Sequence, residues 1–252
     1  MRLKDKVAIV TGAGVGIGQA IAKHFAREGA RVVVAEIDSA TGKATEESIR
    51  SAGGDATFVQ TDVASEAQIR AMVDTTLTRY KRIDVLVNNA GIAMTSKEAR
   101  AHELTNETWD RTMAVNLRGY WLCAKYAIPS MLSQGRGCII FIASPTGMLG
   151  FTSLTAYSTS KGGVIGLMRA MAADYATDHI RVNAIVPGTI DTPMNAEGFC
   201  VPGAREKWAA AAPVNRLGTG DDVAGMAVFL ASAEADYCQG GLYMVDGGQT
   251  AI

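Results

Sequence analysis

A tyrosine and a lysine four residues apart carry the clearest chemical signal in this 252-residue sequence. Tyr157 and Lys161 lie in the stretch Ala156–Lys161, and Ser144 stands thirteen positions before the tyrosine. On a helix, this spacing places the phenol and the ammonium on one face. A free phenol has a pKa of about 10, and a neighbouring ammonium favours the phenolate and lowers that pKa. The pattern predicts an acid/base pair, although Tyr-x-x-x-Lys alone is also common on ordinary helix surfaces.

A glycine-rich run follows the first apolar segment, Val7–Val10. Glycine allows a tight turn and a close approach to a ligand, and free N–H groups at the start of the next helix attract a pyrophosphate. The spacing is wider than Gly-x-Gly-x-x-Gly, so a simple turn is the alternative. The phosphate-loop pattern Gly-x-x-x-x-Gly-Lys-Ser/Thr does not occur, which removes support for nucleotide hydrolysis. The residues expected to contact a dinucleotide here are Gly12, Gly14, Val15, Gly16, Ile17 and Gly18.

An acidic residue ends the second apolar segment. Glu36 follows Val32–Ala35 and lies 18 residues beyond Gly18. A carboxylate at this point accepts hydrogen bonds from both ribose hydroxyls of a dinucleotide and repels a 2′-phosphate. Neither Val15 in the loop nor Ile37 after the acid offers such a phosphate a positive charge. The sequence therefore favours NAD as the cofactor and disfavours NADP, with an ordinary surface glutamate as the alternative.

Two further short runs follow apolar segments. Asn88–Gly91 comes after the fourth segment, and Asp62 with Val63 comes after the third, where they are placed to meet an adenine. An asparagine can tie a loop to neighbouring backbone, and small residues leave room for a flat ligand at the carboxyl ends of parallel strands. Asn and Gly are also ordinary turn residues. The expected cofactor contacts are Asp62, Val63, Asn89, Ala90 and Gly91.

Short β-branched runs alternate with longer helical stretches along the chain. The predicted strands are Val7–Val10, Arg31–Ala35, Thr57–Gln60, Ile83–Val87, Cys138–Ile142, Arg181–Ile185 and Leu242–Val245. The predicted helices are 16–28, 41–52, 66–80, 107–133, 155–176, 204–211 and 221–232. Continuous apolar strands separated by helices predict an α/β fold. We expect a single Rossmann-type doubly wound domain over residues 1–252, with a seven-stranded parallel sheet flanked by helices on both faces.

Composition argues against several other classes of protein. The 24 Lys and Arg residues balance 25 Asp and Glu, so no bulk field attracts nucleic acid or an anionic membrane. No segment approaches the roughly 18 apolar residues that span a bilayer. The four cysteines lie far apart, and the three histidines lack metal-ligand spacing. We expect a soluble, cytoplasmic protein with no metal, nucleic-acid or membrane partner.

Together these motifs resemble the short-chain dehydrogenase/reductase family over essentially the whole chain. The matching runs are TGAGVGIG at 11–18, DV at 62–63, NNAG at 88–91, Asn116, Ser144, Tyr157 with Lys161, and PG at 187–188. The resemblance implies that Tyr157 exchanges a proton with the substrate oxygen and that Ser144 hydrogen-bonds the same oxygen. It implies that Lys161 lowers the pKa of Tyr157 and binds the nicotinamide ribose, and that Asn116 anchors a water in a proton relay behind Lys161.

The resemblance also concerns the second half of the chain. Thr192 and the backbone of Ile190 match family positions that meet the nicotinamide carboxamide, just after Pro187 and Gly188. Family tetramers pair the helix that bears the tyrosine and dock the C-terminal segment. Helix 155–176 carries a single charge, Arg169, between Gly162 and Ala173, so it needs a second apolar cover. We expect a homotetramer, although Tyr237–Gln239 departs from the usual residues before Gly240.

The substrate is expected to bind beneath a loop at about 188–215, because long irregular loops are usually binding elements. Two departures from the family pattern bear on the pocket mouth: Pro145 follows Ser144, and the segment Ala93–Leu104 is slightly long, with charges over Lys97–Arg100. The candidate pocket residues are Ser144, Pro145, Thr146, Met148, Leu154, Met194 and Phe199. Most are apolar, which favours a medium-sized hydrophobic substrate, with core packing as the alternative.

Three functions are compatible with these residues. The leading one is an NAD(H)-dependent oxidoreductase that interconverts a secondary alcohol and a ketone, with cyclic or aryl-alkyl groups on the substrate. A 3-oxoacyl-[acyl-carrier-protein] reductase uses the same chemistry, but it usually prefers NADPH and needs a basic patch for an acidic carrier. A non-catalytic dinucleotide-binding sensor ranks third, because such a protein can lose Asn116, Ser144, Tyr157 and Lys161, and all four are present.

Overall fold

Seven apolar runs become the strands of one parallel sheet. In the computed structural model, which describes residues 1–251, they are Val7–Thr11 (β1), Arg31–Glu36 (β2), Asp55–Gln60 (β3), Val85–Asn88 (β4), Gly137–Ile142 (β5), Ile180–Pro187 (β6) and Leu242–Val245 (β7). The strand order is β3-β2-β1-β4-β5-β6-β7, and every pair is parallel. The direction of winding reverses between β1 and β4, which is where ligands bind in doubly wound sheets.

Helices cover both faces of this sheet. They are Gly16–Arg27 (α1), Ser39–Ser51 (α2), Glu66–Tyr80 (α3), Asn106–Met113 (α4), Gly119–Gln134 (α5), Thr155–Asp174 (α6), Ala196–Phe199 (α7), Ala204–Ala210 (α8) and Gly220–Ala231 (α9). The α/β fold predicted from the sequence is confirmed. The predicted single domain over 1–252 stays a prediction, and its last residue, Ile252, lies outside the described residues.

Successive side chains along each strand point to opposite faces of the sheet and pack into two separate hydrophobic cores. On one face, α1, α2 and α9 bury Phe25, Ile49 and Val228 against the sheet. On the other, α3, α5 and α6 bury residues such as Met72 and Met168. The helix that bears Tyr157 therefore lies on the α3–α5 side. Within residues 1–251, no helix is both long and apolar enough to cross a bilayer.

The helix predicted over 107–133 is interrupted. Residues Ala114–Arg118 form a π-helical segment between α4 and α5. A π segment has hydrogen bonds between residues five apart, where an α-helix joins residues four apart. No local sequence pattern predicts such a segment, and such segments are frequent at functional sites. The segment contains Asn116, so the interruption affects a predicted site residue directly. The irregular stretch after β6 also contains two short helices, α7 and α8.

Candidate active site

The ends of β1 and β4 are tied together by side chains. The Thr11 hydroxyl donates to Val87 O at 3.2 Å and accepts from the N–H groups of Asn89 and Ala90 at 3.0 and 3.1 Å. The Asn89 amide donates back to Thr11 O and Gly12 O at 2.9 and 3.1 Å. These hydrogen bonds therefore fix the glycine loop to the loop after β4. Sequence reasoning did not assign a role to Thr11.

Two glycines in the loop are required by its packing. Gly12 has a φ of +62°, and a Cβ there would lie 2.8 Å from the Ala90 Cα. A Cβ on Gly18 would collide with Gly12 O and with the side-chain nitrogen of Asn89. At both positions the neighbouring atoms leave no room for a side chain, so only glycine fits.

The start of α1 has the properties of an anion site. Its N-cap, Val15, makes no side-chain capping bond, and the first turn holds no acidic residue. The first N–H groups of α1 are therefore left for a ligand, with the positive end of the helix dipole beside them. The donor chemistry fits a pyrophosphate, with Gly16 and Ile17 in that first turn.

Glu36 anchors the glycine loop. Its carboxylate accepts from Gly14 N at 2.9 Å, from Ile37 N at 2.8 Å and from Asp38 N at 3.2 Å. A carboxylate offers about four lone-pair sites, so about one remains for a ribose hydroxyl. The residue is 8% exposed. Among the described residues, no Lys or Arg nitrogen lies within ion-pair distance of it.

The residues expected near an adenine lie at the end of β3. The Asp62 carboxylate accepts from Ala64 N at 2.9 Å and lies 3.8 Å from the Arg111 guanidinium. Val63 is buried, and a Cβ on Gly119 would touch its carbonyl oxygen at 2.8 Å. Both side chains are thus held by protein contacts, and their role toward adenine stays a prediction.

Lys161 is buried next to the tyrosine. It is 3% exposed, its ammonium donates to Ile142 O at 2.8 Å, and Nζ lies 5.8 Å from the centre of the Tyr157 ring. Burial lowers the pKa of Lys161 to about 8. Nζ also lies 5.3 Å from the centre of the Tyr120 ring. The ammonium is therefore held between two aromatic rings and a carbonyl, at the carboxyl end of β5.

The surroundings of the tyrosine act on its pKa in opposite directions. Burial raises the pKa of Tyr157, and the Ser144 hydroxyl opposes that rise. Desolvation of the phenol is the larger effect, so this pKa lies above its ordinary value, and the predicted lowering by the Lys161 charge stays a prediction. Ser144 is buried at the end of β5, and its Oγ accepts from Thr146 N and Thr146 Oγ1 at 3.3 and 3.0 Å.

Asn116 joins the loop after β4 to α6. Its amide nitrogen donates to Ile92 O and Ser160 Oγ at 2.9 and 3.1 Å, while its Oδ1 accepts from Ile92 N at 2.8 Å. A Cβ on Gly91 would lie 3.4 Å from Asn116 Oδ1 and 3.8 Å from Lys161 Nζ, so these three residues converge. Both amide hydrogens are used, and the predicted water relay stays a prediction.

The loop after β6 lies against the glycine loop. A Cβ on Gly16 would lie 3.1 Å from the Thr192 methyl carbon. Ile190 is buried, and its carbonyl accepts from the Asn195 amide at 2.8 Å. β6 ends at Pro187, and Gly188 follows it. A Cβ on Gly188 would lie 2.8 Å from the Asp246 Cα. The segment that bears Thr192 thus borders the start of α1.

The predicted substrate residues divide by exposure. Pro145 is buried, Thr146 and Leu154 are half-buried, and Met148 and Met194 are exposed. Phe199 packs edge-to-face on Trp208, with ring centres 5.2 Å apart, and the Arg205 guanidinium lies 4.8 Å from the Phe199 ring centre. Sequence reasoning missed Trp208, and also the exposed Leu149 and Phe151 beside Met148.

The fold and the site define a dinucleotide-binding α/β protein, and comparison with known proteins defines the family. Residues 12–250 match a family model described as enoyl-(acyl carrier protein) reductase. The chain belongs to the short-chain dehydrogenase/reductase family and is an oxidoreductase of that family. The family binds a nicotinamide dinucleotide.

Three curated relatives illustrate the range of substrates. The chain is 40% identical to 2-(R)-hydroxypropyl-CoM dehydrogenase from Xanthobacter autotrophicus, with 98% of this chain and 100% of the relative covered. It is 39% identical to cis-4-hydroxycyclohexanecarboxylate dehydrogenase from Sinomonas cyclohexanicum, covering 98% of each chain. It is 37% identical to the 3-oxoacyl-[acyl-carrier-protein] reductase FabG from Thermotoga maritima, covering 98% and 99%.

A solved structure is similar over its full length. It is described as an NAD(P)-dependent gluconate 5-dehydrogenase from Beutenbergia cavernae with bound NADP at low occupancy. The two chains are 36% identical, cover each other completely and superpose with a TM-score of 0.93. The bound NADP of that protein leaves the choice between NAD and NADP open at the level of the fold.

Proposed function

We propose that this protein is an NAD(H)-dependent oxidoreductase that interconverts a secondary alcohol and a ketone, with Tyr157 as the acid/base residue. The observation that carries the proposal is the convergence of Tyr157 with Ser144 and the buried Lys161 at the carboxyl ends of the strands. The uncapped start of α1 is at the same edge of the sheet. The curated relatives that are named as dehydrogenases or a reductase support the same class of reaction.

In the proposed reaction, each side chain of the site has a separate role. A nicotinamide dinucleotide, when bound, supplies or accepts the hydride. The Tyr157 hydroxyl gives its proton to the substrate oxygen during ketone reduction and takes it back during alcohol oxidation. Ser144 donates a hydrogen bond to the same oxygen and stabilises the charge that develops there. The Lys161 ammonium favours the phenolate form that oxidation requires.

The pKa of Tyr157 predicts how the direction depends on pH. Because burial raises this pKa, the phenol is protonated at neutral pH, which suits ketone reduction. Alcohol oxidation needs the phenolate and is therefore expected to become faster as pH rises. This pH dependence follows from the protonation of Tyr157, and it does not depend on whether the cofactor is NAD or NADP.

The proposed cofactor is NAD. Support comes from the buried carboxylate of Glu36, which has about one free acceptor site and, within residues 1–251, no Lys or Arg nitrogen at ion-pair distance. A 2′-phosphate placed at the end of β2 would face this charge without compensation. The proposed holders of the dinucleotide are the glycine loop, Asn89 to Gly91, and the segment 187–192 after β6.

A 3-oxoacyl-[acyl-carrier-protein] reductase is the second candidate. Its support is the similarity to FabG and the description of the matching family model. The two candidates differ in their preference for NADPH and in their need for an acidic carrier protein. The net charge of −1 offers the carrier no general attraction.

We further propose that the chain forms a homotetramer through α6 and the C-terminal segment. A shallow groove of about 540 Å³ lies between the end of α4, the π segment, α5 and α6. Asp110 and Arg118 contribute charged side chains to its lining, and the remaining lining residues are Met113, Ala114, Leu117, Trp121, Gly163 and Leu167. Trp121 is 45% exposed there. A second subunit would cover this face, because exposed apolar surface of this kind favours association.

A panel of secondary alcohols tests the proposed function. Purified protein is mixed with each alcohol and either NAD⁺ or NADP⁺, and formation of the reduced cofactor is followed by absorbance. Turnover of a cyclic or aryl-alkyl alcohol with NAD⁺ is expected, and Tyr157→Phe is expected to lower kcat by about 10² to 10⁴. A clear NADPH preference on a 3-oxoacyl carrier substrate would favour the second candidate. Unchanged turnover by the phenylalanine variant would rule out the role of Tyr157.

A further inference from the structure

The helix that bears Tyr157 begins without a local cap. Its N-cap residue, Leu154, has no side-chain acceptor, and the first turn contains no acidic residue. Ala156 and Tyr157 are the second and third residues of this helix, so their N–H groups are among those that a capping side chain normally satisfies. An uncapped first turn frays easily, and here that turn carries the proposed acid/base residue.

A carboxylate from another part of the chain takes the place of the missing cap. Glu98 Oε2 accepts from Ala156 N at 3.0 Å, and Glu98 Oε1 accepts from Tyr157 N at 2.7 Å. Beside it, the Thr155 hydroxyl donates to Ala99 O at 2.8 Å. Both carboxylate oxygens are thus used on adjacent N–H groups at the positive end of the α6 dipole, where a negative charge is stabilising.

We propose that Glu98 is a positioning residue for Tyr157. The inference rests on the proposed function for its catalytic consequence, while the anchoring of α6 stands on the geometry alone. Glu98 fixes the first turn of α6, and this turn sets the position of the phenol relative to Ser144 and Lys161. Glu98 belongs to the charged stretch Lys97–Arg100 of the slightly long segment Ala93–Leu104, and the proposal gives this departure from the family pattern a role.

Residues 93–104 also contact the loop after β6, beneath which the substrate is expected to bind. The Thr95 hydroxyl lies 3.5 Å from a carboxylate oxygen of Glu197 in α7. Residues 93–104 therefore bridge the first turn of α6 and the loop after β6.

Replacement of Glu98 tests the proposal. Glu98→Ala removes both acceptors, and we expect turnover per cofactor-binding site to fall about tenfold or more, because small displacements of a reacting group cost up to about 10² in rate. Cofactor sites are counted by NADH fluorescence titration, since a merely structural loss would remove sites and activity in parallel. Glu98→Gln keeps an acceptor oxygen, and we expect it to restore part of the lost turnover per site.

The matched control is Asp222→Ala. Asp222 also accepts from a backbone N–H at a helix start, that of Thr219 at 2.7 Å, and it pairs with the Arg216 guanidinium at 2.8 Å. It does so on α9, on the other face of the sheet from α6. We expect this variant to lose a comparable amount of thermal stability and to keep its turnover per site. Hydrogen exchange of the peptide that contains Ala156 and Tyr157 supplies a readout that needs no substrate. Glu98→Ala is expected to speed exchange there, and Asp222→Ala is not.

The outcomes separate the two proposals. Faster exchange together with lower turnover per site supports the positioning role. Unchanged exchange, or a Glu98→Ala enzyme with normal turnover per site, would overturn it. If the wild-type protein turns over none of the alcohols, the proposed function fails, and the exchange measurement alone decides whether Glu98 holds the first turn of α6.

Discussion

At the scale of single residues, the site combines a buried ammonium with a half-buried phenol, and the cost of burying the ammonium is measurable. The pKa of Lys161 is lowered to about 8 by burial, against about 10.4 for an exposed lysine. Between these values the unfolded chain binds more protons than the folded one, so stability rises with pH. The penalty is fully present below pH 8 and is lost above about pH 10.4, and it amounts to about 3 kcal/mol.

Lys161→Met removes this titration, and urea unfolding at fixed protein concentration measures the difference. The free energy of unfolding of the wild type is expected to gain about 3 kcal/mol relative to the variant between pH 7 and 10.5. Ile142 O keeps a partner in the variant, because the Tyr120 hydroxyl donates to it at 3.3 Å. Parallel pH curves for the two proteins would mean that Lys161 titrates as an exposed lysine does.

Cofactor choice is also decided by a single residue in our proposal. Glu36→Gln removes the charge that repels a 2′-phosphate and also disturbs the contact with Gly14 N. Looser anchoring weakens the binding of both cofactors, so the ratio of kcat/KM for NAD⁺ to that for NADP⁺ isolates the effect of charge. We expect this ratio to fall about tenfold or more, a change of about 1.4 kcal/mol or more.

Asp38→Asn is the matched control for this measurement. Asp38 is an exposed carboxylate two residues further on, and it caps α2 by accepting from Thr41 N at 2.8 Å. Its replacement is expected to leave the NAD⁺ to NADP⁺ ratio nearly unchanged. An equal shift in both variants would assign the discrimination to the general charge at this edge of the sheet and not to Glu36.

At the scale of elements, the glycine loop is held by packing as much as by conformational freedom. A methyl group on Gly18 would collide with Gly12 O and Asn89 Nδ2, whereas one on Gly225 in α9 would meet open space. Gly18→Ala is therefore expected to destabilise the protein by about 1–3 kcal/mol and to weaken NADH binding. Gly225→Ala is expected to stabilise it by about 0.5–1 kcal/mol. Urea unfolding and NADH fluorescence titration measure both effects, and equal behaviour of the two variants would contradict this account.

The elements could be predicted from the sequence wherever a local pattern determines them. Continuous apolar runs bounded by turns identified all seven strands, with ends shifted by at most two residues. The π segment around Asn116 could not be predicted, because it depends on a hydrogen-bonded fit to Ile92 and not on local preference. Contacts such as Glu98 with α6 join residues 58 and 59 positions apart, and no local pattern encodes them. The direction of the Tyr157 pKa depends on burial, which the spacing of two residues does not reveal.

At the scale of the whole molecule, α6 bears the proposed acid/base residue and also lies at the proposed interface between subunits. One side of this helix packs on the sheet through Val164 and Met168, while Gly166, Arg169 and Ala170 are exposed. Next to them, the groove that includes Trp121 and Leu167 offers apolar surface to a second subunit. If subunits pair along this helix, the first turn that bears Tyr157 is stabilised from outside as well as by Glu98.

Leu167→Glu tests the proposed tetramer, because it places a charge in the groove that a second subunit would bury. Sedimentation analysis of the wild type is expected to give four times the 26.5 kDa mass of the chain, and the variant a smaller species. Ala44→Glu is the control, since Ala44 is exposed on α2 at the opposite face of the sheet. The smaller species is expected to show faster hydrogen exchange in the first turn of α6 and lower turnover per site. A wild type of 26.5 kDa, or a variant that stays tetrameric, would show that this face of α6 is not the interface.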